Sequence, residues 1–116
     1  MVNRVIILSK KSVGEPSSKE PPVPSEGTII CGVIKHLGGD YVLAKCMDGV
    51  DRKLRIPGKM RRRVWISEGD IVLAGVWDFS PEKGEVLYKY GRSELEKLME
   101  KGIVTKEFID AISELI

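Results

Sequence analysis

Between residues 27 and 91 the chain divides into short runs rich in β-branched and aromatic residues, each ended by a turn signal. "TIICGVIKHL" (28–37) is followed by "GGD", and "YVLAKC" (41–46) by "MDGV", where Asp48-Gly49 is a hairpin signal. "RKLRI" (52–56) makes a third run, and "PGKMRRRVW" interrupts. "DIVLAGVWDF" (70–79) is a fourth, expected to bend at Gly75. "SPEKGE" (80–85) reads as a turn, and "VLYKY" (86–90) is the fifth run. Five short strands with one connection unlike the others fit a small closed or nearly closed antiparallel barrel, and the five-stranded barrel of this size is the OB-fold.

The flanks have a different texture. Residues 9–26, "SKKSVGEPSSKEPPVPSE", hold four of the six prolines and almost nothing to bury. They read as a flexible tail with polyproline-like stretches. "VIIL" (5–8) before them is either a short strand anchored on the domain or a docking peptide, and is too short to span a membrane. After the fifth run the chain becomes helical. Ser93 with Glu96 three residues on has the form of a capping box, and Leu95, Leu98 and Met99 share one face before Gly102 stops the helix. Thr105 caps a second helix whose stripe is Phe108, Ile112 and Leu115. The expected organisation is a tail (1–26), an OB-fold barrel (27–91) and a helical appendage packed on the barrel (92–116). The fold class is therefore an all-β core with an α appendage.

A net charge of +2 says little about partners, but its distribution says more. From 52 to 63 the chain holds Arg52, Lys53, Arg55, Lys59, Arg61, Arg62 and Arg63 and no acid. Pro57 suits the first turn of a short helix over 58–64, in which Met60 and Val64 face the barrel. Lys59, Arg62 and Arg63 then point outward, with Arg61 at the flank. Trp65 and Ile66 are expected on the buried side. A charge run is often just a solvated loop, but this one coincides with the third strand and its outgoing loop, where OB-folds meet nucleic acid. The arginine fork also suits phosphate. The seven cations are thus the candidate RNA-binding residues. The second and third strands offer only Tyr41 for base stacking, and Trp65 and Trp77 lie in apolar company, so phosphate contacts on a folded RNA are favoured over reading of loose bases.

Enzymatic chemistry is not expected. The lone histidine, His36, lies beside the Gly38-Gly39 turn and reads as a surface residue, and there is no phosphate-binding loop or metal-ligand cluster. No catalytic residue, cofactor or metal is assigned. The two cysteines, Cys31 and Cys46, have no second pair, which leaves no zinc framework. A two-residue loop at Gly38-Gly39 would set Cys31 opposite Cys46. With no signal peptide visible, an intracellular compartment is expected, with both thiols free.

The stretch "RIPGKMRRRVWISEGDIVL" (55–73), with "CMDGVDR" before it and "EVLYKY" (85–90) after it, closely resembles the signature block of the archaeal and eukaryotic translation initiation factor 1A family. Ile56, Gly58, Lys59, Met60, Arg61, Arg62, Arg63, Val64, Trp65 and Ile66 fall on the block one for one. The resemblance implies a non-enzymatic cytoplasmic OB-fold factor. It would bind ribosomal RNA of the small ribosomal subunit at the decoding A site, and assist initiator transfer RNA recruitment and start-codon selection. Other initiation factors and the initiator tRNA complex are the further partners it implies. A membrane is not among them, and the chain is expected to be a monomer. Two departures are visible. The start, "MVNRVIILSKK", is not the strongly basic tail of many members, and the end, "AISELI", lacks the acidic tail of the eukaryotic branch, which points to the short archaeal form. Two other readings stay open: a general single-stranded RNA binder, and a protein-interaction module using the C-terminal helix stripe.

Overall fold

The computed structural model describes residues 21–61 and 65–116. Five strands form the barrel: β1 (Thr28–Gly38), β2 (Tyr41–Cys46), β3 (Asp51–Arg55), β4 (Ile71–Trp77) and β5 (Ser80–Lys89). Their spatial order is β1-β2-β3-β5-β4, and β4 closes on β1. All pairings are antiparallel except β3 with β5, which run parallel through Lys53↔Lys83 and Arg55↔Glu85. This is the five-stranded barrel expected from the turn spacing, with one parallel seam in place of a wholly antiparallel wall. The β1–β2 turn and the β3–β4 connection lie at one end. The β2–β3 and β4–β5 turns lie at the other.

Alternation in β2 and β3 sends Val42, Ala44, Cys46 and Leu54 inward and Tyr41, Leu43, Lys53 and Arg55 outward. The inward set joins Cys31, Val33, Ile56, Ile66, Val72, Ala74 and Val86 in the barrel core. β1 and β4 do not alternate, because both their faces are covered. Ile30, Ile71 and Leu73 point away from the lumen into a second core with Tyr90, Leu98, Val104 and Ile112. Helices α2 (Arg92–Glu100) and α3 (Lys106–Glu114) supply that second layer. Gly32 on β1 makes the fit possible, since a Cβ there would lie 2.5 Å from Ile112 Cγ1.

The helix ends refine the sequence expectations. α2 starts earlier than expected: Gly91 is its N-cap, and Glu94 accepts from the Gly91 amide at 2.8 Å. The helix ends at Gly102 as expected, with Gly102 N–H donating to Met99 O and Ile103 N–H to Leu98 O, the two bonds of a Schellman closure. Thr105 caps α3 by accepting from the Phe108 amide at 3.1 Å. Of the expected α3 stripe, Ile112 is buried and Phe108 partly so, whereas Leu115 is exposed.

Three further expectations change. "SPEKGE" is not a turn, because β5 already begins at Ser80. Pro81 falls in the register shift between Val76↔Gly84 and Trp77↔Ser80, so its missing N–H costs no ladder bond. The β1–β2 loop is Gly39-Asp40, closed by Gly38↔Tyr41, and two register shifts in β1 return Cys31 opposite Cys46. The opposition was expected, but the cysteines are joined as a disulfide instead of standing as free thiols. At the N-terminal end, Pro21 is buried and Pro22 O accepts from Tyr90 Oη at 2.5 Å, so these residues lie against the second core. "VIIL" and most of the expected tail lie outside the described residues.

Candidate nucleic-acid interface

The outward residues of adjacent strands form rows, because partners across a ladder point to the same face. One row reads Lys35↔Leu43↔Lys53↔Lys83 across β1, β2, β3 and β5. All three lysines are exposed. The next row reads Tyr41↔Arg55↔Glu85. Lys53 Nζ stands 4.6 Å from the centroid of the Tyr41 ring. The ring therefore braces an ammonium that stays open to solvent.

Beyond Arg55 the chain turns at Pro57 into α1 (Gly58–Arg61), a single turn. Met60 packs against the barrel core and Lys59 is exposed, as the amphipathic reading required. Arg61 is the last residue of α1. Arg62, Arg63 and Val64, with the direction of the Arg61 side chain, lie outside the described residues.

Arg52 departs from the expectation. Its side chain is 8% exposed and points along the barrel wall instead of into solvent. Nη1 and Nη2 donate to the two oxygens of Asp48 at 3.0 and 2.9 Å, and Nε donates to Pro81 O at 2.7 Å. The guanidinium is consumed in tying the β2–β3 turn to the start of β5. The same bonds hold the Asp48 carboxyl below the usual carboxylate range. Arg52 is thus a staple of the parallel seam, buried with three of its N–H groups turned to Asp48 and Pro81 O.

Trp65 also departs, in the opposite sense. It is 78% exposed, while Ile66 beside it is 4% exposed and sits in the barrel core. The two neighbouring side chains therefore face opposite ways, one to solvent and one to the core. Lys89, at the end of β5, fixes the segment: Nζ donates to Trp65 O at 2.6 Å and pairs with Asp70 at 3.3 Å. Asp70 in turn accepts from the Ser67 amide at 2.7 Å. The indole is presented on a pinned backbone at the end of the barrel that carries Arg55 and Lys59. Trp77 is half-buried, not core, and stacks on Phe79 at the far end, 5.5 Å between centroids.

Residues 18–113 match the family described as Translation initiation factor 1A / IF-1. The chain belongs to that family. It is 68% identical over 113 residues to Translation initiation factor 1A of Desulfurococcus amylolyticus, covering 94% of this chain and 97% of that one. It is 47% identical over 103 residues to the factor of the same name from Saccharolobus solfataricus, covering 89% and 95%. Among solved structures it is similar to the solution structure of a translation initiation factor from the Wolbachia endosymbiont of Brugia malayi. That match has a TM-score of 0.43 and 20% identity, and covers 64% of this chain and 91% of that one. The archaeal relatives agree with the archaeal form of the family expected from the sequence.

Within this factor 1A barrel, the structure brings Lys53, Arg55 and Lys59 to one open surface and removes Arg52 from it. Sequence reasoning missed Lys35, Lys83 and Trp65. The two lysines enter the row only through strand pairing, which no local run discloses. Trp65 carried a usable signal, since the aliphatic Ile66 beside it was a better core candidate.

Proposed function

We propose that this factor binds the small ribosomal subunit near the decoding A site through ribosomal RNA, and there assists initiator tRNA recruitment and start-codon selection. The cross-strand row Lys35–Lys53–Lys83, with Arg55 and Lys59 beyond it, carries the reading, and three further arginines follow in the sequence at 61–63. It offers a string of cations to phosphates spread over a folded RNA, which suits backbone docking. The exposed indole of Trp65 adds one π face beside the cations, to which a single unstacked base can be matched. The barrel (27–91) provides this contact surface, and the helical layer (92–116) buttresses it from behind β1 and β4. No residue is assigned a catalytic role, in keeping with relatives named as initiation factors. Initiator tRNA complex and other initiation factors are the further partners in this reading, the chain acting as a cytoplasmic monomer. No helix among the described residues is long and apolar enough to cross a membrane.

Trp65 also favours one alternative, a general single-stranded RNA binder, because exposed aromatics serve loose bases irrespective of sequence. Sedimentation separates the two. The proposed factor co-sediments with purified small subunits and is not displaced by excess random single-stranded RNA. Equal affinity for both establishes the general binder, and binding to neither sinks the RNA reading.

A further inference from the structure

The end of the barrel opposite Trp65 has a different surface chemistry. The β4–β5 hairpin carries Trp77 and Phe79 stacked with ring planes 18° apart. Phe79 is 84% exposed, the largest exposure among the large apolar residues described. A stacked pair at a hairpin tip, with one full ring face in water, is not explained by packing. Met47 and Val50, on the neighbouring β2–β3 turn, are also exposed apolar residues. The two turns are held side by side, because Arg52 spans from Asp48 to Pro81 O.

The charge around the rings is acidic. Asp78 lies between them in sequence, and Glu82 follows on β5, held by the Ser80 hydroxyl at 2.8 Å. Glu26 is brought alongside, since Val76 N–H donates to Gly27 O at 2.9 Å. All three acids are exposed. The cations of the same end are already committed, Arg52 to Asp48 and Lys45 to Asp51 at 3.1 Å. Lys83 is the exception: it stands in the lysine row on the β3 side, yet its charge also reaches the adjacent Glu82 carboxylate, which leaves Glu26 and Asp78 as the remaining acids at the tip. Phosphate is therefore disfavoured at the tip, whereas a guanidinium or ammonium meets both a π face and carboxylates.

We propose that the Trp77–Phe79 stack, with Glu26, Asp78 and Glu82, is a docking site for an arginine- or lysine-rich peptide segment of a protein partner. The cation lies over the Phe79 ring, its alkyl stem runs along the apolar rim, and the acids select its sign. One end of the molecule then serves RNA and the other a basic protein segment. The proposal does not depend on which RNA the cationic end binds.

The test is a titration of the full chain, labelled with nitrogen-15, with a synthetic peptide of alternating arginine and glycine. The expected result is movement of the Trp77 indole N–H and the Asp78 and Phe79 amides, with the Trp65 indole unmoved. Phe79→Ala should weaken binding about fivefold, the scale of one exposed cation–π contact. Phe79→Leu should weaken it nearly as much, since it keeps the bulk and loses the π face. The joint change of Asp78→Asn and Glu82→Gln should weaken it further and reduce its salt dependence. Unchanged melting of each variant confirms that the fold is retained. The proposal is overturned if the peptide leaves the Trp77 indole unmoved, if Phe79→Ala binds as well as the parent, or if an uncharged proline–glycine peptide binds equally. It is overturned in favour of a base-stacking platform if oligouridylate moves the Trp77 and Phe79 signals and the arginine peptide does not.

Discussion

Replacement of Arg52 by alanine separates a structural cation from the exposed ones around it. The side chain is 8% exposed and makes three hydrogen bonds, two of them to a carboxylate. Removing one partner of a buried pair commonly costs about 3–5 kcal/mol, because the other charge is left stranded. Here Asp48 is 39% exposed and water takes over part of its solvation, so the lower end of that range or less applies. The orphaned Pro81 carbonyl adds about 1 kcal/mol. A loss of about 2–3 kcal/mol is expected, equivalent to a fall in melting temperature of roughly 8–20 °C for a domain of this size. Lys53→Ala, one residue away and exposed, should change stability by under about 0.5 kcal/mol. Its effect should fall instead on binding to small subunits, lowering the log–log salt slope by about one.

The pair is also titratable, which gives the argument a second edge. The folded Asp48 carboxyl sits below its ordinary value, chiefly through the hydrogen bonds from Arg52. Its stabilising contribution is therefore complete above the unfolded carboxylate pKa and fades as pH falls through the lowered folded value. Thermal unfolding scans from neutral to acid pH should show Arg52→Ala and the parent converging at the acid end. If Arg52→Ala melts like the parent and instead removes one unit of salt slope, Arg52 is a phosphate contact and its assignment to the seam is wrong.

Four other outcomes are expected. Gly32→Ala should drive a methyl into Ile112, cost about 1–3 kcal/mol and raise amide exchange over α3 before the barrel opens. Trp65→Ala should leave the melting temperature within a degree or two of the parent, because the indole is 78% exposed, while weakening RNA binding by about 1–3 kcal/mol if it stacks on a base. Reduction of the Cys31–Cys46 bridge, whose loop spans 15 residues, should lower stability by about 3 kcal/mol, read as a melting shift with and without reductant. Finally, Tyr88 and Tyr90 are both pushed up to about 12, Tyr88 chiefly by its hydrogen bond to Glu94 and Tyr90 chiefly by burial. Raised folded values mean stability held below the unfolded tyrosine pKa of about 10 and lost as pH climbs toward 12, a loss that Tyr88→Phe should reduce.

What the sequence disclosed and what it hid divide along the range of the interaction. Thr105 as a cap, Gly102 as a stop and Met60 as an anchor were legible because each depends on residues within a turn or two. The start of β5 was not, because Ser80, Pro81, Glu82 and Lys83 have poor strand propensity, and the strand is held there by the pairing of Ser80 with Trp77 and of Lys83 with Lys53. The Cys31–Cys46 opposition does not come from a Gly38-Gly39 loop: the loop is Gly39-Asp40, and two register shifts in β1 restore the opposition. The lysine row has the same character, since Lys35, Lys53 and Lys83 are far apart in sequence and meet only through register.

Trp65 shows how apolar company in sequence can mislead about company in space. Read from the sequence, Trp65 and Ile66 follow the Met60–Val64 face of a helix over 58–64, and burial of both looks natural. The short helix α1 ends at Arg61, and at Trp65 and Ile66 neighbouring side chains divide between solvent and core. Ile66 fills a place in the barrel core, and the larger indole is sent outward. Lys89 and Asp70 pin the backbone at that choice, one from β5 and the other from the threshold of β4. The exposure of Trp65 is therefore set by residues remote in the chain. It follows that Lys89→Met, which removes the pin and keeps the bulk, should loosen the indole, seen as increased mobility of its fluorescence anisotropy decay, without unfolding the barrel. An unchanged decay would mean that Ile66 alone determines where Trp65 points.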